Sequence, residues 1–245
     1  MKRLMMVALV FMAVPAMADL LVPEPAPGGF AGHGVIDAVT KQVVWNGAAP
    51  RADVVYSNIT NGPTAAYARA WPPASEMGDE LLMTSGGILD AVGFSVYNSS
   101  SSAGELQTAD LTLRFYNWDG GVNAFVPAGS LSLPGVDFGT GGLPAGYYTI
   151  LAFTNVSQVT TINLTADVLA TLTIDNLLGR ATRVGQVLMN PPTIGSSTDD
   201  FFKDGSWYNF GGTPVANFYW QIGVVPEPAA LGLLALGGLA LLRRR

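Results

Sequence analysis

The chain contains no cysteine among its 245 residues. That absence excludes disulfides, thiol nucleophiles and thiolate zinc sites, so stability must come from a packed core. Histidine is almost as scarce. His33 is the single one, set in the glycine-rich run Gly28-Gly-Phe-Ala-Gly-His-Gly34. No Gly-x-Ser-x-Gly elbow accompanies it, which leaves a Ser-His-Asp triad without its nucleophile motif. The same glycines are not followed by a strand-to-helix pattern, so they do not form a dinucleotide loop. His33 is therefore expected to be a solvated histidine in a mobile N-terminal segment, and no catalytic residue is assigned.

Positive charge is sparse as well. Twelve Lys and Arg face eighteen Asp and Glu, for a net −6. Two of the basic residues lie in the first three positions and three in the last three, so residues 19–228 carry seven basic against eighteen acidic groups, a net of −11. That charge argues against nucleic acid and anionic lipid as partners, because phosphate binding needs clustered Lys and Arg. An acidic body suits solubility outside the cell or binding of a divalent cation.

The two ends differ from this body. Met1-Lys2-Arg3 is a positive n-region and Leu4 to Val14 an apolar h-region. Ala16-Met17-Ala18 supplies an A-x-A site before Asp19, so residues 1–18 are expected to be a cleaved secretory signal peptide. At the other end, Val225-Pro226-Glu227-Pro228-Ala229 leads into an uncharged apolar run from Ala229 to Leu242 and then Arg243-Arg244-Arg245. As a helix the run would measure about 21 Å, short of a hydrocarbon core near 30 Å. It is apolar on every side, with Gly232, Gly237 and Gly238 allowing close helix contact. The terminal arginines would stay on the cytoplasmic side and leave the body outside. Such a marginal span suits a temporary membrane hold.

The order Pro-Glu-Pro, apolar stretch and terminal arginines in residues 225–245 resembles the PEP-CTERM sorting signal of bacterial proteins processed by an exosortase. The resemblance implies export, an exosortase partner, membrane attachment through residues 229–242 before processing, and delivery to the cell surface or extracellular matrix.

Between the ends the pattern is β throughout. Short β-branched and aromatic runs lie between turn clusters: Gln42 to Trp45, Val54 to Tyr56, Ala66 to Trp71, Ile88 to Tyr97, Leu111 to Trp118, Tyr147 to Phe153, Val159 to Leu164, Thr171 to Ile174, Val184 to Met189 and Asn217 to Ile222. Several alternate: Leu111, Leu113 and Phe115 share one face, with Thr112, Arg114 and Tyr116 opposite. Helical periodicity is nearly missing, although Thr165 to Ala170 allows a turn or two. With 29 Gly and 16 Pro as punctuation, the expected fold is all-β, an antiparallel jelly-roll-like β-sandwich over residues 35–223. Residues 19–34, rich in Pro and Gly, are expected to be a flexible or extended leader, and residues 224–245 the sorting signal with a hydrophobic helix.

Three stretches resemble the β-rich ectodomains of PEP-CTERM proteins from bacteria such as planctomycetes. They are Glu76-Met-Gly-Asp79-Glu80-Leu-Leu, Leu111-Thr-Leu-Arg114-Phe-Tyr116-Asn-Trp-Asp119-Gly120, and Pro192-Thr-Ile-Gly195-Ser-Ser197-Thr-Asp199-Asp200-Phe201-Phe with Trp207. The chain departs from the usual pattern in placing Trp118 before Asp119 and Thr84-Ser-Gly-Gly87 after the opening. The resemblance implies fold and location, and no reaction.

Candidate chemistry rests on carboxylates and aromatic rings. Glu76, Asp79 and Glu80 lie near a strand start. Asp199, Asp200 and Asp204 lie in a polar loop beside Phe201, Phe202 and Trp207, which makes this loop the candidate ligand or calcium site. Calcium takes six to eight oxygens, which these carboxylates, nearby hydroxyls and backbone carbonyls supply in part. Asn117-Trp118-Asp119-Gly120-Gly121 reads as a turn. Five Trp and eight Tyr offer a sugar-stacking platform or sandwich core. Asn58, Asn98, Asn155 and Asn163 begin Asn-x-Ser/Thr sequences. The expected function is thus an exported surface or matrix protein without catalytic activity, in a structural or adhesive role. The alternatives are a lectin-like carbohydrate-binding module with exopolysaccharide as partner and calcium as aid, and a secreted polysaccharide hydrolase.

Overall fold

The protein is described as a computed structural model over residues 24–25, 29–40, 42–45, 53–58, 67–100, 104–189, 192–209 and 217–225. The signal peptide with Ala16, Ala18 and Asp19, the sorting residues Pro226, Glu227, Pro228 and Arg243 to Arg245, and the hydrophobic segment 229–242 lie outside the described residues. Among the described residues no helix is long and apolar enough to cross a membrane.

The strands are β1 (Glu24–Pro25), β2 (Gly29–Asp37), β3 (Val43–Trp45), β4 (Asp53–Ser57), β5 (Tyr67–Trp71), β6 (Glu76–Leu82), β7 (Gly87–Asn98), β8 (Leu106–Asp119) and β9 (Ala124–Asp137). They continue with β10 (Tyr147–Thr154), β11 (Asn163–Leu164), β12 (Asp167–Gly179), β13 (Val184–Met189), β14 (Ser196–Lys203), β15 (Ser206–Asn209), β16 (Asn217–Phe218) and β17 (Trp220–Val225). They form two sheets, as the alternating sequence pattern predicts. The first runs β1-β5-β13-β7-β10-β2-β3, with β17 joining β4 to β7, β11 beside β7 and β16 beside β13. The second runs β15-β14-β6-β12-β8-β9. Every pairing is antiparallel except that of β10 with β2.

The periodicities explain the layers. β8 buries Leu111, Leu113 and Phe115 and turns Thr112, Arg114 and Tyr116 to the other face, a period of two. β7 is buried on both faces from Ala91 to Tyr97, with Ser95 buried among its apolar residues. The inter-sheet core joins Val92, Phe94, Phe153 and Trp220 of the first sheet to Leu81, Phe115, Ala170 and Phe201 of the second. A smaller cluster, with Tyr97, Tyr148, Ile150, Val187 and Tyr219, lies apart from it.

Three local expectations are corrected. Residues 29–34 of the expected flexible leader are strand β2, held in parallel register by β10 from Tyr147↔Gly29 onward. Ordering comes from backbone pairing to a buried strand, which the glycine-rich composition does not disclose. Thr165 to Ala170 makes no helical turn, because β12 starts at Asp167 and bonds β6 and β8 on both sides. The expected strand from Val159 to Leu164 reduces to β11, since Asn155 adopts φ 59° and opens a 3-10 turn over Val156–Gln158.

Candidate functional site

The face of the second sheet turned away from the inter-sheet core is where the unexpected side chains gather. Paired residues on adjacent strands share a face. Leu169 pairs with Glu80 of β6 and Tyr116 of β8, which places all three on that outer face. Leu169 is nonetheless only 2% exposed and belongs to neither core cluster. The sheet covers it by curling.

Two hairpins close the curl. In the first, Asp119 Oδ1 accepts the Gly121 N–H at 2.8 Å and Asn123 takes φ 54°, turning β8 into β9. This sets Trp118 opposite Phe125, with ring centroids 5.2 Å apart. In the second, Asp204 and Gly205 adopt φ 46° and 87° between Lys203 and Ser206. A two-residue Asp-Gly loop with both φ positive is the turn that matches strand twist. It sets Phe202 opposite Trp207, centroids 5.7 Å apart. The two pairs meet, with Phe125 and Trp207 centroids at 5.8 Å. A groove of about 530 Å³ lies here, lined by Trp118, Phe125, Phe202 and Trp207 together with Leu169, Asn123, Glu80 and Asp200. Trp118 and Trp207 remain 36% and 44% exposed.

The polar groups of the same face are of two kinds. Glu76 is saturated. Its Oε1 accepts from Tyr116 Oη at 2.8 Å and Thr171 Oγ1 at 2.5 Å, and its Oε2 lies 3.7 Å from Arg114 Nη1. That arginine also donates to Thr173 Oγ1 at 2.9 Å. Burial and then the bond to Glu76 push the Tyr116 hydroxyl up to about 12. Among the described residues no cation pairs with Glu80. Burial first, then the charge of Asp167 and a hydrogen bond with it, then the charge of Asp200, hold its carboxyl above the usual range. Asp167 is raised too, by burial, against the opposing effect of its bond with Glu80.

The residues expected to form one acidic loop are divided between a strand and the hairpin turn that follows it. Asp199 and Asp200 belong to strand β14. Asp200 lines the groove, and its Oδ1 accepts from Asn209 Nδ2 at 2.8 Å. Asp204 sits at the hairpin turn, where its Oδ1 accepts the Glu76 N–H at 2.8 Å and its own N–H bonds the Glu76 carbonyl. Among the described residues no group of three or more His, Cys, Asp or Glu is arranged to hold a metal ion. Asp79, grouped with Glu76 and Glu80 in the sequence, faces the core instead, fully buried, and accepts the Phe218 N–H at 2.5 Å.

Of the expected site, Trp207 and Asp200 are in the groove. Trp118, Phe125, Phe202 and Glu80 join them there. The signal for Trp118 was present in β8, since a tryptophan continuing the polar row Thr112, Arg114, Tyr116 must face away from the core. Phe125 carried none, because it reaches the groove only through the hairpin. His33 lies in strand β2 rather than in a loop, but it is exposed as expected, with its ring 4.8 Å from Phe30 and its pKa lowered by desolvation. Asn58 and Asn98 are fully buried. The Asn98 amide donates to the carbonyls of Gly104 and Leu143, both at 2.9 Å, which removes it as a glycan acceptor.

Residues 224–245 match the PEP-CTERM protein-sorting motif. The chain therefore carries, at its C-terminus, the sorting signal that its Pro-Glu-Pro, apolar and arginine order suggested. No curated protein matches the chain in sequence. Among solved structures it is similar to TmCBM61, determined in complex with β-1,4-galactotriose. That match has 15% identity, covers 60% of this chain and 75% of the other, and gives a TM-score of 0.27. A superposition that loose carries no correspondence between residues.

Proposed function

We propose that the protein is an exported, exosortase-sorted component of the cell surface or extracellular matrix that binds polysaccharide through the groove of its second sheet and has no catalytic activity. The C-terminal motif supports the route, with export, membrane retention through residues 229–242 and processing near Pro226-Glu227-Pro228. The observation that carries the binding reading is the pair of tryptophans, Trp118 and Trp207, left exposed at a groove while two others, Trp71 and Trp220, are buried in the core. Large aromatic rings are costly to leave in water, and flat apolar rings beside hydrogen-bonding groups suit the faces and hydroxyls of sugar rings.

Two features support binding without cleavage. Glycoside hydrolysis places two carboxyls about 5 to 10 Å apart across the scissile bond. Glu80 instead stands beside a second carboxyl, Asp167, whose charge raises its pKa. Glu76 is consumed by Tyr116, Thr171 and Arg114. The test is a pull-down of the detergent-solubilised full chain on a panel of insoluble and matrix polysaccharides, alongside Trp207→Ala. Retention by wild type and its loss in the variant are expected. Equal retention of both, or none by wild type, ends the reading.

A further inference from the structure

The groove's charge names its ligand, given the carbohydrate-binding reading on which this inference rests. The site itself is defined by four aromatic rings. What distinguishes it is that, among the described residues, its walls hold negative charge and no positive charge. Among the described residues, Glu80 and Asp200 line it, the charge of Asp167 acts on Glu80, and neither Lys nor Arg is a lining residue. The cation nearest in register on this face, Arg114, is committed to Glu76 and Thr173. Carboxylates brought together without a counter-charge repel, and a protein that retains them forgoes stability unless a ligand supplies the cation.

An anionic polymer is repelled by such a floor. A metal ion needs several oxygens converging at about 2.3–2.6 Å, and the described carboxylates do not converge in that way. An ammonium group needs only hydrogen-bond acceptors, and it gains further from the faces of aromatic rings within about 6 Å. The groove offers both, with acceptors on Glu80 and Asp200 between the rings of Trp118, Phe125, Phe202 and Trp207. We infer that the groove takes a polysaccharide whose sugars carry free amino groups, such as deacetylated hexosamine units, with the amine set against Glu80 and Asp200 and the sugar rings on the tryptophans.

The experiment is calorimetric titration of the detergent-solubilised full chain with matched oligomers of glucosamine, N-acetylglucosamine and a uronic acid, and with oligolysine. Wild type, Trp207→Ala, the double variant Glu80→Gln/Asp200→Asn and the single Asp200→Asn are compared. The glucosamine oligomer is expected to bind about tenfold more tightly than the acetylated one, the size of one partly screened ion pair. The uronic oligomer and oligolysine are expected to bind more weakly still. The double variant should lose the tenfold preference, read as the ratio of the two oligomers' affinities within that variant, and Asp200→Asn, on a strand beside the sheet edge, should lose part of it without a folding defect.

Equal binding of acetylated and free-amine oligomers overturns the amine inference and leaves the saccharide reading standing. Tighter binding of the uronic oligomer or of oligolysine, or binding abolished by a chelator, also overturns it. No binding of any oligomer removes the saccharide reading itself.

Discussion

Phe125 and Trp207 stand on the two opposite edge strands of a six-stranded sheet, yet their ring centroids are 5.8 Å apart. In a flat sheet those strands would be roughly 24 Å apart, five spacings of about 4.8 Å. The contact therefore measures how far the sheet curls, and it is the means by which two hairpins far apart in sequence make one site.

Trp207 is the most informative residue to change. It is 44% exposed and its strand has four residues, so removing the ring leaves the core untouched. Trp207→Ala is expected to lower saccharide affinity by about 10- to 100-fold, the value of one stacked aromatic face of about 1.5–3 kcal/mol. Thermal unfolding should shift little. Titration with oligosaccharide and a calorimetric melt check both. A lost fold would show that the ring is structural.

The Glu80–Asp167 pair predicts a pH dependence of definite sign. Both carboxyls hold their protons more tightly in the folded chain than in the unfolded one. Their contribution to stability is thus complete below the ordinary carboxylate range, near pH 4, and is lost as pH rises through the raised folded values. Glu80→Gln removes the ionisation, so it should raise the melting temperature at pH 7 and have no such effect near pH 4. Asp37 and Asp110 act oppositely. Hydrogen bonds lower them, by Thr40 and Asn155 for the first and by Asn176 and Gly135 for the second, so their support is lost as pH falls. The difference between variant and wild type cancels that background. A gain that persists unchanged at pH 4 would refute the assignment.

Strand identity was legible where burial had a single period. Leu111, Leu113 and Phe115 announced β8, and the alternation of Val92, Phe94 and Val96 announced β7. The edge strands were not legible. β9 carries Pro127, Gly129, Pro134 and Gly135, residues that weaken a strand by propensity and are tolerated where one side of the backbone has no neighbour. β14 was hidden by Asp199 and Asp200, whose carboxylates suggested a loop. The Asp204-Gly205 dipeptide was the better signal, since it specifies a hairpin and hence the Phe202–Trp207 pair. The groove as a whole was not legible, because Trp118 and Trp207 are 89 positions apart in sequence and meet only through sheet curvature.

Gly78 tests that curvature directly. It lies on β6 opposite Thr171, and a Cβ added there would stand 1.9 Å from the Ala170 carbonyl oxygen. The obstacle is backbone, so a rotamer change cannot relieve it. Gly78→Ala is expected to cost at least about 3 kcal/mol, at the upper end for one substitution. Denaturant unfolding measures it, with Gly205→Ala as a reference, since its φ of 87° is strained but its surroundings are empty. Equal costs at the two positions would show that crowding at Gly78 is not limiting.

Processing gives the last prediction. A helix over residues 229–242 would be about 9 Å shorter than the hydrocarbon core it must cross, so it holds the chain only marginally and its loss is compatible with release. Mass spectrometry of the exported protein is expected to find a chain that starts at Asp19 and lacks Arg243, Arg244 and Arg245. Replacing Pro226, Glu227 and Pro228 with alanine should leave a membrane-bound form that retains Arg245. Alanine also removes a charge and two helix-breaking residues from the end of the segment, so the variant's span becomes longer and more stable in lipid. Retention caused by that longer span is separated from failed processing by Glu227→Gln, which keeps both prolines. If wild-type protein at the surface carries Arg245 as its sole form, the match at residues 224–245 does not act as a cleaved signal.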